Sequence, residues 1–244
     1  MRISLLTAAF VIIAAAVLIY CARREAALLR LDPAAIAMSS ALTSFAAGRG
    51  KDLFELRCAS CHGTHGLGDP GRGIPNLADE DWLYGAGSVG DIEQVVRFGI
   101  RSHHARSWNL AFMPAYGTPR PSSRDPSIAP LSPGALRDVV EYLVQVRGLP
   151  SDSAAALRGA RVFAGIGGCY DCHAADAKGD SAIGAPNLTD RTTLYGDGSR
   201  ASLTMSVALG RHGMCPAWEG RLSPAAIREV SVFVYSLSHS RSAP

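Results

Sequence analysis

The hydrophobic positions of this chain fall into one unbroken run and two periodic stripes. From Ile3 to Ala22 no residue carries a charge, and Val11-Ile12-Ile13 and Val17-Leu18-Ile19 are apolar on every helical face. At the helical rise this run just crosses a bilayer core. A cleaved signal peptide has a shorter apolar region and a small-x-small site, and none precedes Arg23-Arg24. An uncleaved transmembrane anchor is therefore expected over residues 1–22, followed by a linker over 23–47. The stripes lie further on. Leu136, Val139, Val140 and Leu143 share one helical face, and Ile227, Val230 and Val234 repeat the pattern. Ser132-Pro133 and Ser223-Pro224 stand just before them, a serine N-cap followed by proline at the first helical position.

These stripes are the ends of two copies of one unit. Gly50-Lys51-Asp52-Leu53-Phe54 precedes Cys58-Ala59-Ser60-Cys61-His62, and Gly159-Ala160-Arg161-Val162-Phe163 precedes Cys169-Tyr170-Asp171-Cys172-His173. At the same offset after each motif come Pro75-Asn76-Leu77 and Pro186-Asn187-Leu188, then Leu83-Tyr84-Gly85 and Leu194-Tyr195-Gly196. Met113-Pro114-Ala115-Tyr116 aligns with Cys215-Pro216-Ala217-Trp218. The expected organisation is all-α, with the anchor followed by two tandem domains over 48–148 and 156–240. The copies differ most between Pro114 and Pro133, where Pro119, Pro121, Pro126 and Pro130 predict an ordered extended loop.

Composition agrees with short helices and long loops. The chain has 25 Gly and 14 Pro with only 7% aromatics. A net charge of +3 with no basic cluster excludes a nucleic-acid binder. Of six cysteines, four sit in the paired motifs, leaving Cys21 in the apolar run and Cys215. Cys21 is expected to be a free thiol at the end of the membrane helix, since Tyr20 before it fits a lipoprotein site poorly.

Cys-x-x-Cys-His places two thiols one helical turn apart, where both can add to the vinyl groups of one haem while the histidine binds its iron. Zinc would need further ligands at matched spacing, and a redox dithiol does not need the histidine. Two covalently bound c-type haems are expected, held by Cys58 and Cys61 and by Cys169 and Cys172, with His62 and His173 proximal. Units this small have little core of their own, and the cofactor fills that role. Met113 before Pro114 is the expected distal ligand of the first haem; His/Met ligation raises the potential and favours electron transfer. His103 and His104 are rivals expected to be solvated. For the second haem, Met214 and Cys215 are alternatives, with His212 in reserve. Met214 is preferred because a flexible thioether tolerates a one-residue shift; a Cys215 thiolate would depress the potential. Each distal residue is taken to serve the haem of its own repeat. Asn76 and Asn187 are expected to cap propionates or backbone, or simply to make turns. Trp82, Trp108 and Trp218 are expected to pack around the haems.

The strings Pro75-Asn76-Leu77-Ala78-Asp79-Glu80-Asp81-Trp82-Leu83-Tyr84-Gly85, Gly184-Ala185-Pro186-Asn187-Leu188-Thr189-Asp190 and Pro216-Ala217-Trp218-Glu219-Gly220-Arg221-Leu222 extend the argument. Through them the chain, from about Gly48 onward, resembles the diheme subunit III (FixP/CcoP type) of cbb3-type cytochrome c oxidases. The resemblance implies tandem class I cytochrome c domains without a catalytic site of their own. It implies electron transfer from a donor cytochrome c, through the monohaem cytochrome c subunit, to the haem–copper oxidase subunit that reduces oxygen. It also implies a single-pass protein of the cytoplasmic membrane with haem domains facing the periplasm. Arg23, Arg24 and Arg30 alone would predict the opposite orientation. Family members usually have a cytoplasmic segment before the membrane helix, whereas here the apolar run begins almost at Met1. Met214-Cys215-Pro216 stands in place of the family's methionine before proline. Two other functions stay open: a free-standing anchored carrier for another membrane complex, and a diheme oxidoreductase with a thiolate-ligated second haem.

Overall fold

The computed structural model describes residues 5–117 and 129–239. Part of the expected proline-rich loop, from 118 to 128, lies outside them. The described chain is helical and has no β-strand. In order the helices are α1 (Leu5–Arg30), α2 (Pro33–Ala37), α3 (Ser40–Arg57), α4 (Ala59–His62), α5 (Val89–Phe98), α6 (Pro133–Val146), α7 (Ser153–Ala164), α8 (Tyr170–His173), α9 (Arg200–Leu209) and α10 (Pro224–His239).

The helix starts follow local chemistry. Ser132 Oγ accepts from Ala135 N at 3.2 Å and Ser223 Oγ from Ala226 N at 3.2 Å, each with proline at the first position. Ser88 and Asp91 form a reciprocal capping box at α5.

The apolar helix does not stop where the uncharged run stops. Thr7–Arg30 is long and apolar enough to cross a membrane by length and composition, and α1 runs on past Ala22 because no breaker intervenes before Pro33. Its last turns leave the apolar run and enter the protein. Leu28 is fully buried with Ile36, Leu42, Ala46, Val89 and Val232. The segment 23–47, expected as a linker, is thus mostly helix packed on the body of the protein. Arg228 of α10 clamps this exit. Its Nη1 donates to the Leu28 and Leu31 carbonyls at 2.8 and 3.2 Å, and its Nε donates to Glu93. Arg49 joins Glu25 of α1 to Glu229 of α10 at 2.7 and 2.6 Å.

Helix packing crosses between the repeats. The helix entering the first cysteine motif, α3, lies along α10, the closing helix of the second repeat. The helix entering the second motif, α7, lies along α6, the closing helix of the first. Both crossings are tight and built alike. A Cβ on Gly50 would meet the Glu229 carbonyl oxygen at 2.1 Å, and one on Gly159 would meet that of Asp138 at 2.0 Å. Beside these glycines Phe54 packs on Phe233 (centroids 5.2 Å, 56°) and Phe163 on Tyr142 (5.1 Å, 55°). The expected pairing of each motif with its own closing helix therefore gives way to an exchange. The two stripes are near-equivalent faces, so the apolar pattern alone does not say which helix they cover.

Candidate functional site

Each cysteine motif is a single helical turn, α4 or α8, that ends in its histidine. A carbonyl from the conserved-spacing proline orients each imidazole: His62 Nδ1 lies 3.2 Å from Pro75 O, and His173 Nδ1 lies 3.0 Å from Pro186 O. A proton on Nδ1 satisfies that carbonyl and leaves Nε2 free as a metal ligand. Burial lowers both histidine pKa values, partly opposed by these hydrogen bonds, which keeps the rings neutral. Burial likewise pushes the Cys58 and Cys169 thiols up to about 11.

The distal loops are held in matching ways. After α5, Gly99 takes a φ of +74°, and Ile100 pairs with Cys215 in both directions, N to O and O to N, at 2.9 Å. After α9, Gly210 takes a φ of +70°, and Arg211 pairs with Met113 at 3.2 and 3.0 Å. A Cβ at Gly99 would strike the Cys215 carbonyl oxygen, and one at Gly210 that of Met113, both at 2.5 Å. Only glycine fits those approaches. Trp218 N then donates to Val96 O and Tyr116 N to Val207 O, each at 3.1 Å.

Met113 consequently packs with Cys169, Phe163 and Val207, in the core around the second motif. Cys215, paired with Ile100 just after α5, is instead near the first motif; burial pushes its thiol up to about 12, with Cys58 and Cys61 close enough to add to the shift. The assumption that each distal residue serves its own repeat is corrected here: Met113 is on the side of His173, and Cys215 on that of His62. The cause is the same exchange that pairs α3 with α10. Met214, the preferred alternative in the sequence, is 77% exposed.

The other expectations divide. His103 is exposed, and His104 is engaged by Glu219 Oε2 at 3.0 Å and by Arg106 N at 3.1 Å. Asn76 and Asn187 make turns, accepting from Ala78 N and Thr189 N at 2.9 Å. Trp82 and Trp218 line the cavity described next, whereas Trp108 packs against Tyr84 at a tilt of 59° (centroids 5.5 Å) outside its lining.

One continuous cavity of about 840 Å³ is lined by both motifs, by Met113 and by Cys215. Its two halves meet through reciprocal contacts. The Tyr84 ring covers Gly184 and the Tyr195 ring covers Gly73, while Gly85 N donates to Ser181 O and Gly196 N to Pro70 O at 3.1 and 2.8 Å. At this seam Arg101 donates from Nη1 to the Tyr84 hydroxyl at 2.9 Å, and its buried Nε has no partner. Sequence reading passed over Arg101, whose only visible signal was its place just after Gly99-Ile100.

The donor set fits haem c. Paired thiols, an oriented neutral histidine and a soft distal sulfur match its covalent and axial requirements, and an orphaned guanidinium nitrogen suits a propionate. Among the described residues no group of three or more His, Cys, Asp or Glu converges.

The Cytochrome c family model matches residues 47–147. The chain is 39% identical over 218 residues to the cbb3-type cytochrome c oxidase subunit FixP of Bradyrhizobium sp. (strain ORS 278), covering 88% of this chain and 69% of that one. The chain belongs to the FixP/CcoP family of cbb3-type cytochrome c oxidase subunits. Its relatives include subunit CcoP of Cereibacter sphaeroides, 37% identical over 86% of this chain and 67% of that one. Another is FixP of Bradyrhizobium diazoefficiens, at 38% over 81% and 63%. The chain thus spans about two thirds of the length of these FixP/CcoP relatives. Family membership implies covalently bound haem c, and the apolar α1 fits a single-pass membrane protein. The matched stretch 47–147 includes α6, yet the helix that packs on its α3 is α10.

Proposed function

We propose that this chain is a membrane-anchored diheme cytochrome that relays electrons from a donor cytochrome c towards the catalytic core of a cbb3-type terminal oxidase. The reading includes two cytochrome c domains, two haems, and an orientation that leaves both outside the cytoplasmic membrane. It assigns no catalytic site to the chain itself. The observation that carries it is the shared cavity, in which two complete attachment motifs meet across the Tyr84 and Tyr195 seam.

Bound haem supplies the one-electron chemistry. Cys58 and Cys61, and Cys169 and Cys172, would hold the two groups covalently. His62 and His173 would bind from one side, each held in one tautomer by a proline carbonyl. Met113 would hold the second group together with His173, a histidine–thioether pair that would suit electron transfer over ligand binding. Arg101, with Tyr84, would anchor a propionate at the seam. The long α1, clamped to α10 by Arg228, would keep the assembly at the membrane surface, where the monohaem and haem–copper subunits could receive the electron.

An affinity tag on the full-length chain, followed by mild detergent extraction, tests the assignment. A haem–copper subunit and a monohaem cytochrome are expected to co-isolate, and the complex should consume oxygen when fed reduced cytochrome c. Isolation of a stable oxidase with full cytochrome c–dependent turnover after deletion of this chain would refute it.

A further inference from the structure

We propose that Cys215 is the distal ligand of the first site, bound as a thiolate opposite His62, and that Met214 takes no part in coordination. The inference rests on the diheme reading above and deepens it.

Backbone register carries the assignment. Cys215 occupies in the first site the position that Met113 occupies in the second. Each precedes a proline, each pairs in both directions with the residue after a left-handed glycine, and each is followed at the same offset by an aromatic residue whose N–H donates to the helix that ends at that glycine. Neighbouring side chains of an extended segment point to opposite sides. Cys215 therefore takes the inward position of this register, while Met214 beside it borders the cavity but is 77% exposed. Placing Met214 at that register position would need a one-residue slip that breaks both Ile100 hydrogen bonds and the Trp218 N to Val96 O bond. Cys215 lines the cavity, and its thiol makes a weak contact to its own loop, Pro216 O at 3.8 Å. Of the other candidates, His212 borders the cavity but is exposed, His103 is exposed, and His104 is bound to Glu219.

The chemical consequence is inequality. On binding ferric iron the thiol releases its proton to solvent, so the ligand is an anion that stabilises the oxidised state. Met113 is a neutral thioether that favours the reduced state. The first site then holds the lower potential and the second the higher, and an electron shared between them resides at the second. A pair that looks duplicated becomes a directional step.

The test uses the full chain in detergent. Haem is first counted by the pyridine haemochrome assay and intact mass. A single haem would defeat the diheme reading and leave the ligand assignment without its site. With two haems present, low-temperature electron paramagnetic resonance should show one thiolate-ligated and one thioether-ligated low-spin species, and a redox titration should show two separated waves. Cys215→Met should remove the thiolate signal and move the lower wave up towards the other. Cys215→Ser, which keeps the size, should also remove it, so a folding failure in the first variant does not decide the matter. Met214→Leu should change neither signal nor wave. Two thioether signals in the native protein, or a lower wave that shifts with Met214→Leu and not with Cys215→Met, would overturn the proposal.

Discussion

The two haem-motif neighbourhoods share a plan and differ in how the chain supplies it. The second is made from one continuous stretch: Met113 enters first, then α6, α7, the Cys169–His173 motif and α9 up to Arg211. The first is made from two stretches, α3 to Ile100 and then Cys215 to α10, which returns only after the second is complete. Only the first is bolted to α1. A tandem repeat has thus become a nested structure in which each repeat's motif helix packs on the closing helix of the other. Two simple beads could be separated by a cut in the linker; these two cannot. The exchange also gives the first neighbourhood long-range closure, so its assembly waits on the last helix of the chain.

The largest expected effect breaks or establishes the crossing directly. Met113→Leu should abolish the thioether signature of one haem and lower its potential, because the thioether is replaced by a group that cannot bind iron. The crossing predicts which haem. The change should remain fully visible when Cys58→Ala and Cys61→Ala remove the first haem. It should vanish when Cys169→Ala and Cys172→Ala remove the second. Visible spectra and redox titrations of these combined variants decide it, and the reverse pattern would restore local ligation.

Next in size is the clamp that only the first neighbourhood has. Arg228 is nearly buried, pairs with Glu93, and closes the Leu28 and Leu31 carbonyls at the end of α1. Removing one partner of a buried pair is costly. Because Arg97 still reaches Glu93 at 2.6 Å, Arg228→Ala should cost about 3 kcal/mol, at the low end of that range. Thermal unfolding followed at each haem should show the loss at the first site, with the second nearly unmoved. Equal loss at both would mean that the two neighbourhoods unfold as one unit.

Much of this plan was legible in the residues. The cysteine motifs, the serine–proline starts of α6 and α10, and the apolar run of α1 all follow from short-range chemistry, which sequence records well. The exchange was not legible, because the faces of α6 and α10 are alike and a stripe does not name its partner. Gly50 and Gly159 were visible as repeated residues, but each is equally ready to receive either helix. The register that bears on Met214 and Cys215 was hidden for a related reason. The two hydrogen bonds between Ile100 and Cys215 that fix it join residues far apart in the chain. Arg101 escaped notice since its value lies in an unpaired buried nitrogen, a property of packing alone.

The matched crossings offer a smaller and more symmetric comparison. Gly50→Ala and Gly159→Ala each place a methyl group against a carbonyl oxygen, at 2.1 and 2.0 Å, so the helices must separate. Overpacking of this kind costs roughly 1–3 kcal/mol, offset slightly by the better helix propensity of alanine. Both variants should lose similar stability in thermal melts, but at different haems: the first site for Gly50, the second for Gly159. Loss at the opposite haem would contradict the assignment of α10 to α3 and of α6 to α7.

The smallest effect separates the starts of the two equivalent helices. Asp152 caps α7 with its carboxylate, accepting from Ala154 N at 2.9 Å and Ala155 N at 3.0 Å. Ser39, at the start of α3, makes no such bond. Capping satisfies amide groups that the helix leaves without partners, and its loss on substitution by alanine costs about 1 kcal/mol. Asp152→Ala should therefore lower the stability of the second site by about that amount, and Ser39→Ala should leave the first unchanged. The reason lies in the setting of α3, whose first turns are held by α1 and α2 through Leu42, Ala46 and Ile36. There tertiary packing replaces the cap, whereas α7 begins at the surface and depends on its own sequence. A measurable loss for Ser39→Ala in chemical denaturation would show that α1 supports the first site less firmly than its contacts imply.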